Sequence, residues 1–176
     1  DLGAGESDLR SFIPKGTADK WTEAAEQILS DGRPELAVII ATAFAAPLVH
    51  IISSSGKPAA LSFYSESGSG KSTAMNVAAG VWCTPKPTVA MDVTPAAVNN
   101  IVAAEPSMPL YWDEAKNEKQ RTDAVSMMFQ VIQGHNSQRA QQHGGNRGVF
   151  KIDTIMVLGS NKSFAGEVSG GDVGSA

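Results

Sequence analysis

Apolar residues near the start of the chain recur every three to four positions, which is the spacing of one face of an α-helix. The pattern predicts a first helix over residues 19–30 and a second from Pro34 to about residue 54. Asp31-Gly32 is a typical helix end, and Pro34 suits a first helical turn, where a missing N–H costs nothing. We therefore expect residues 1–57 to form an N-terminal helical segment that packs on the core.

From residue 58 the pattern changes to short apolar runs separated by helical stretches. The runs predict strands over 61–64, 89–93, 108–112 and 155–159, and the stretches predict helices over 71–82, 95–104 and 121–133. Alternation of strands and helices is typical of a mostly parallel sheet covered by helices. The prediction is an α/β fold with three layers, α/β/α, over residues 58–165, followed by a flexible Gly/Ser-rich tail over 166–176.

Composition, charge and cysteine content indicate the number of domains and the cellular compartment. The 176 residues suit one domain, and the net charge of −4 weakens a nucleic-acid role without excluding one. A single cysteine, Cys83, excludes an internal disulfide and favours a cytoplasmic setting. The apolar stretch over 36–52 is alanine-rich and contains a proline, so we expect a buried helix and no membrane association. Because the chain begins with Asp1 and ends in a Gly/Ser-rich tail, we expect a piece of a longer protein.

The turn between the first predicted strand and the helix at 71–82 has the pattern of a phosphate-binding loop. Gly68 and Gly70 let backbone N–H groups curl around an anion, and the N-terminus of the next helix adds donors. Lys71 can reach the β- and γ-phosphates of a nucleotide, and the Ser72 hydroxyl can ligate Mg²⁺. The predicted nucleotide-binding residues are Glu66, Ser67, Gly68, Ser69, Gly70, Lys71, Ser72 and Thr73.

Ser65 departs from this pattern, which has glycine at that position. The position lies at the junction of strand and loop, away from the phosphates, so a small residue is expected to serve there. The alternative for the whole segment is a Gly/Ser-rich surface turn before an ordinary helix.

Two later strands end in polar residues. Asp113 follows the strand at 108–112 and would lie at the carboxyl edge of the sheet, where it can hold Mg²⁺ together with Ser72. Glu114 is then free to polarise the water that attacks the γ-phosphate. Asn161 follows the strand at 155–159 and can contact that water or sense the γ-phosphate. The predicted catalytic residues are Lys71, Glu114 and Asn161; the alternative is that these polar residues only end strands or cap turns.

Residues 124–152 contain no acid in a chain that is acidic overall. The stretch predicts a hairpin whose tip is at 143–146. Its basic residues are candidates for contacts with a DNA backbone, and two of the arginines are alternatively candidates for an arginine finger in a neighbouring subunit. The candidates are Arg139, His143, Arg147 and Lys151, of which Arg139 and Arg147 are the possible fingers. A solvated loop is the alternative.

The order of phosphate loop, acidic pair, basic hairpin and Ser-Asn after a strand resembles the superfamily III helicases and the wider AAA+ group. It is more closely similar to the helicase-like P-loop ATPase domain of phage and plasmid proteins, often described only as a domain of unknown function. The resemblance covers about residues 12–165, and its matching stretches are 63–76, 81–82, 110–114, 133–134, 139–140 and 157–163.

The resemblance implies a P-loop NTPase fold with a central phosphate-loop strand, ATP and Mg²⁺ as ligands, and assembly into a hexameric ring that moves on DNA, single-stranded in our expectation. It assigns nucleotide binding to Lys71, metal binding to Ser72 and Asp113, catalysis to Glu114 and sensing to Asn161. The chain stops soon after Asn161, where relatives continue into further elements, so we expect this piece to bind nucleotide but to hydrolyse it poorly.

The function expected from the sequence is ATP hydrolysis by the motor domain of a DNA helicase or translocase in phage or plasmid replication. Three alternatives remain open. The first is an AAA+-like ATPase that remodels protein or DNA complexes without unwinding. The second is a nucleotide-binding interaction module with little turnover, and the third is a small-molecule kinase.

Overall fold

The structure is a computed structural model that describes residues 12–52, 57–83, 95–105, 107–113, 117–135 and 150–164. These residues form a mixed α/β protein with five helices and three strands. The helices are α1 (Ala18–Leu29), α2 (Pro34–Ile51), α3 (Lys71–Ala79), α4 (Pro95–Ala104) and α5 (Glu118–Gln133). The strands are β1 (Ala59–Tyr64), β2 (Leu110–Trp112) and β3 (Ile155–Ser160).

The three strands form one parallel sheet in the order β1-β3-β2. The parallel sheet predicted from the sequence is therefore confirmed, and the carboxyl ends of all three strands lie at one edge. The phosphate-loop strand β1 is at the side of this sheet and β3 is in its middle, so the described strands do not give β1 the central place that the resemblance implies. The strand predicted at 89–93 lies outside the described residues.

Helices pack on both faces of the sheet because side chains alternate along each strand. On one face α4 and α5 bury a core with Leu110, Trp112 and Met156. On the other face α2 and α3 bury a second core with Tyr111 and Val157. The sheet thus lies between two helical layers. The N-terminal ends of α3 and α5, one from each layer, lie near the edge at which the strands end.

The N-terminal helices are part of this packing. α2 is long and apolar enough to cross a bilayer by length and composition alone, with a mean hydropathy of 1.7. Residues along one of its sides are nevertheless buried against α3 and the sheet, among them Ile39 and Ala43. The Trp82 indole N–H donates to the Ala43 carbonyl at 2.6 Å, and the Trp21 indole N–H donates to the Val77 carbonyl at 2.8 Å. These bonds hold α1 and α2 on the phosphate-loop helix.

Several element boundaries differ from the prediction for local reasons. α5 begins at Glu118, three residues before the first predicted residue, because Asn117 and Gln120 form a capping box that apolar periodicity does not reveal. β2 begins at Leu110 and not at residue 108, since Pro109 has no N–H to donate to a sheet. α3 ends at Ala79, and a turn over 80–83 follows it.

Candidate nucleotide-binding site

The loop between β1 and α3 has the backbone shape of an anion cradle. Gly68 and Gly70 adopt left-handed φ angles of 80° and 86°, which residues with a Cβ rarely adopt. A Cβ on Gly70 would also stand 3.2 Å from Cδ1 of Leu36. α3 starts at Lys71, directly after this turn, so its first N–H groups point out of the helix end toward the loop. Sequence and geometry agree on why glycine is needed at these two positions.

The Lys71 side chain is drawn into the loop and is only 8% exposed. Its amine donates to the Ser65 carbonyl and the Ser65 hydroxyl, both at 2.8 Å, to the Ser69 hydroxyl at 2.9 Å, and to the Glu66 carbonyl at 3.2 Å. Four loop oxygens thus surround an ammonium group that has three protons to donate. The charge is fixed inside the turn and lies beside the backbone groups of the cradle.

Ser65 has a larger part in this arrangement than the sequence predicted. The expected role was that of a small, passive residue in place of the usual glycine. In the structure its hydroxyl contacts the Lys71 amine and lies 2.5 Å from the Ser69 hydroxyl. A glycine at this position offers no such group, so the departure from the pattern adds one oxygen to the set that holds the lysine.

The N-terminal segment contacts the loop through a residue that sequence reasoning missed. Arg33 donates through Nη1 to the Ser69 carbonyl and through Nε to Glu35 at 2.9 Å. Hydrogen bonds from the backbone and then from Arg33 lower the pKa of Glu35. The pattern around Arg33 indicates only a helix start, because nothing in the sequence pairs residue 33 with residue 69.

We expect Arg33→Ala to weaken nucleotide binding by about five- to thirtyfold, since a hydrogen bond from a charged donor contributes roughly 1–2 kcal/mol when partly exposed. Binding is measured by equilibrium titration with a fluorescent ATP analogue. Glu35→Gln is the matched control, because it removes an exposed ion pair and keeps the bond from Arg33 to Ser69. An Arg33→Ala protein that binds as tightly as the Glu35→Gln control contradicts the role given to Arg33.

Three separate segments of the chain meet at one cavity of about 200 Å³. The phosphate loop and the first turn of α3 form one wall, Asp113 after β2 forms another, and the end of β3 closes the cavity. The lining residues are Ser67, Gly68, Ser69, Gly70, Lys71, Ser72, Thr73, Asp113, Ser160 and Asn161. The convergence follows from the sheet, since parallel strands end at the same edge.

Gly159 on β3 allows Asp113 to sit at this edge. Asp113 is 7% exposed. A Cβ on Gly159 would stand 3.1 Å from Asp113 Oδ1 and 2.8 Å from the methyl group of Met75. Any side chain at position 159 must therefore displace the carboxylate or the buried methionine. The sequence pattern marks Gly159 only as the end of a strand, and its packing role appears when β2 and α3 are placed around it.

The chemistry of the cavity fits a nucleotide phosphate with Mg²⁺. Within the parts of the chain that the structure describes, no group of three or more His, Cys, Asp or Glu side chains is arranged to hold a metal. Mg²⁺ does not need such a group, because it usually takes one or two carboxylates and fills its shell with waters and substrate phosphates. Asp113 and the exposed hydroxyl of Ser72 line the same cavity and can supply the protein ligands.

A second cavity of about 570 Å³ lies at the opposite end of α3. Its walls include Trp21, Phe44 and Trp82, with Lys15 and Lys20 beside them. Among the described residues, no carboxylate and no part of the phosphate loop lines it. Chemistry and not size therefore decides which cavity is the candidate nucleotide site.

The structure places only one of the remaining predicted residues. Glu114, Arg139, His143 and Arg147 lie outside the described residues. Lys151 is described, but its amine pairs with Asp153 at 2.9 Å, away from the phosphate loop.

Oδ2 of Asp153 also lies 3.1 Å from Nδ1 of His50. Burial raises the pKa of Asp153, but the hydrogen bonds from Lys151 and His50 outweigh it, and the pKa lies below its ordinary value. Lys151 is therefore engaged in an ion pair at the base of the predicted hairpin. At this base, His135 and Lys151 form an isolated antiparallel β-bridge. The Ile152 N–H donates to the Gly134 carbonyl at 2.8 Å.

A family model described as a domain of unknown function, DUF927, matches residues 4–150, which is most of the chain. The chain belongs to the DUF927 family. The part matched to DUF927 contains the phosphate loop, Asp113 and the acid-free stretch up to residue 150, whereas β3 and Asn161 follow it. Searches of curated proteins and of solved structures found no match to the chain.

Proposed function

We propose that this chain binds ATP with Mg²⁺ and hydrolyses it, as the P-loop ATPase motor domain of a DNA helicase or translocase. The observation that carries the ATP part is the cavity that joins the phosphate loop to Asp113 and Asn161. A phosphate loop by itself suits any phosphorylated ligand. A buried carboxylate beside the loop would repel phosphates unless a cation lies between them, and this favours a metal–nucleotide ligand.

In this proposal, groups that line the cavity bind the phosphates and the metal. The N–H groups of the loop and the Lys71 ammonium bind the β- and γ-phosphate oxygens. The Ser72 hydroxyl and the Asp113 carboxylate would hold Mg²⁺. When bound, Mg²⁺ neutralises charge that develops on the phosphate oxygens during hydrolysis. Arg33 donates to the Ser69 carbonyl and thereby supports the shape of the loop.

Hydrolysis requires a base and an oriented water. Glu114 directly follows Asp113 in the sequence and takes the proton of the attacking water. The water oxygen forms a bond to the γ-phosphorus, and the bond from that phosphorus to the bridging oxygen breaks, with its electron pair leaving on ADP. Asn161, exposed at the end of β3, donates its amide to the γ-phosphate or orients the water.

We expect Glu114→Gln to lower steady-state phosphate release from ATP by about a hundredfold while ATP affinity stays within about twofold, as for loss of a general base. The assay measures free phosphate, produced by the protein in its whole, assembled form. An unchanged rate in Glu114→Gln contradicts the catalytic assignment. A phosphorylated small molecule as product, in place of free phosphate, identifies a kinase instead.

The DNA part of the proposal rests on the helicase resemblance and on the acid-free stretch 124–152. The antiparallel bridge between His135 and Lys151 brings two residues on either side of the predicted hairpin together, which supports a hairpin. We expect Arg147→Ala, with His143→Ala as a second variant, to weaken binding to single-stranded DNA and to reduce its salt dependence, because each lost phosphate contact lowers the slope. Unchanged affinity and slope in both variants contradict a DNA-binding hairpin.

A further inference from the structure

The Arg121 side chain on α5 contacts the end of β3 and the segment that follows it. It is the fourth residue of α5, near the end at which the helix dipole disfavours a cation. Its Nη2 donates to the Ser163 carbonyl at 2.9 Å, and its Nη1 donates to the Ser160 hydroxyl at 3.4 Å. Its guanidinium carbon lies 4.4 Å from the ring centroid of Phe164.

These contacts hold both ends of a short segment, 160–163, that carries Asn161. Phe164 is 2% exposed in the core below α5, so the ring that Arg121 covers is itself fixed. Ser160 is equally buried, and its hydroxyl also accepts the Lys162 N–H at 3.1 Å. The segment between the two anchors is exposed at Asn161 and lines the cavity.

We propose that Arg121 is a positioning residue, which sets the place of Asn161 at the γ-phosphate end of the cavity. The proposal rests on the proposed ATPase function for its kinetic consequence, but its structural consequence does not depend on ATP. Arginine suits this place because its planar group donates in two directions while its face covers an aromatic ring. Lysine retains the charge and loses this geometry.

The expected kinetic signature is a loss of turnover without a loss of binding. Arg121→Ala lowers the kcat for ATP hydrolysis by about ten- to a hundredfold, because misplacing a group at the reaction centre by about 1 Å can cost a hundredfold in rate. The KM for ATP and the affinity for ADP stay within about twofold, since the phosphate loop is untouched. Arg121→Lys is intermediate in kcat.

The double variant separates positioning from general damage. If Arg121 acts through Asn161, adding Arg121→Ala to Asn161→Ala lowers kcat by less than about twofold beyond the Asn161→Ala change alone. If the kcat losses of the two single variants multiply in the double variant, the proposal is contradicted. Lys119→Ala is the matched control, because Lys119 is an exposed cation in the first turn of the same helix and lines no part of the cavity.

Amide hydrogen exchange decides the proposal if the wild-type protein proves inactive. In Arg121→Ala, and to a lesser degree in Arg121→Lys, the Lys162 amide exchanges at least about fivefold faster, while the amides of the phosphate loop keep their wild-type rates. Unchanged exchange at Lys162 in both variants overturns the positioning role whatever the activity. Absence of phosphate release from the wild type, together with faster exchange at Lys162, overturns the ATPase proposal alone.

Discussion

Replacing Lys71 by methionine is expected to weaken ATP binding by about a thousandfold. The substitution keeps most of the side-chain volume and removes the positive charge of a buried lysine whose amine lies inside the phosphate loop. Two charge-assisted hydrogen bonds to phosphate account for about 4 kcal/mol, which corresponds to that factor. The measurement is competition between ATP and a fluorescent analogue at equilibrium.

The loop contacts of Lys71 require a stability control for this experiment. Four loop oxygens lose their donor when the amine is removed, so the thermal midpoint of unfolding should fall by a few degrees. Lys119→Met removes a similar charge from an exposed position and should leave both quantities unchanged. A Lys71→Met protein that remains folded and binds ATP within about threefold of the wild type contradicts the assignment of the loop.

Asp113→Asn is expected to lower Mg²⁺-dependent ATP hydrolysis by about a thousandfold, because the variant loses a carboxylate that would hold the catalytic metal ion. The amide has nearly the same size as the carboxylate, so the packing against Met75 and Gly159 is preserved. The amide oxygen lacks the negative charge of the carboxylate and holds Mg²⁺ more weakly, so the metal concentration needed for half-maximal activity should rise.

Without the metal, Asp113→Asn should no longer be harmful and should favour ATP binding. In a chelating buffer the Asp113 carboxylate repels the triphosphate, so Asp113→Asn should bind ATP at least as tightly as the wild type. Asp19→Asn, which changes an exposed carboxylate of α1 that does not line the cavity, should behave as the wild type in both buffers. Equal Mg²⁺ dependence of Asp113→Asn and wild type contradicts a metal-binding role for Asp113.

The main features of the site could be predicted because they are local in sequence or follow from the fold class. Glycine at 68 and 70 and lysine at 71 form one continuous pattern. Asp113 and Asn161 lie far from it along the chain, yet each follows an apolar strand, and parallel strands end at the same edge. Knowing only that the strands alternate with helices was therefore enough to bring these residues to one cavity.

The contacts that refine the site could not be predicted in this way. Arg33, Gly159 and Arg121 act through residues far away in sequence, and no periodicity or motif indicates those pairs. Ser65 was underestimated for a related reason, since its hydroxyl becomes relevant only when the Lys71 side chain folds back over the loop. Side-chain direction and packing between segments determine such contacts, and a pattern of apolar and polar positions contains neither.

Calorimetric titration of the whole protein with ATP in the presence of Mg²⁺ measures nucleotide binding at the phosphate loop without an intervening assay. We expect one saturable site per chain, competition by ADP, weaker binding when Mg²⁺ is removed, and loss of the signal in Lys71→Met. Absence of binding for ATP, ADP and the other nucleoside triphosphates at millimolar concentration would contradict the account. Saturable binding that persists in Lys71→Met would contradict it equally, because the nucleotide would then occupy another part of the molecule.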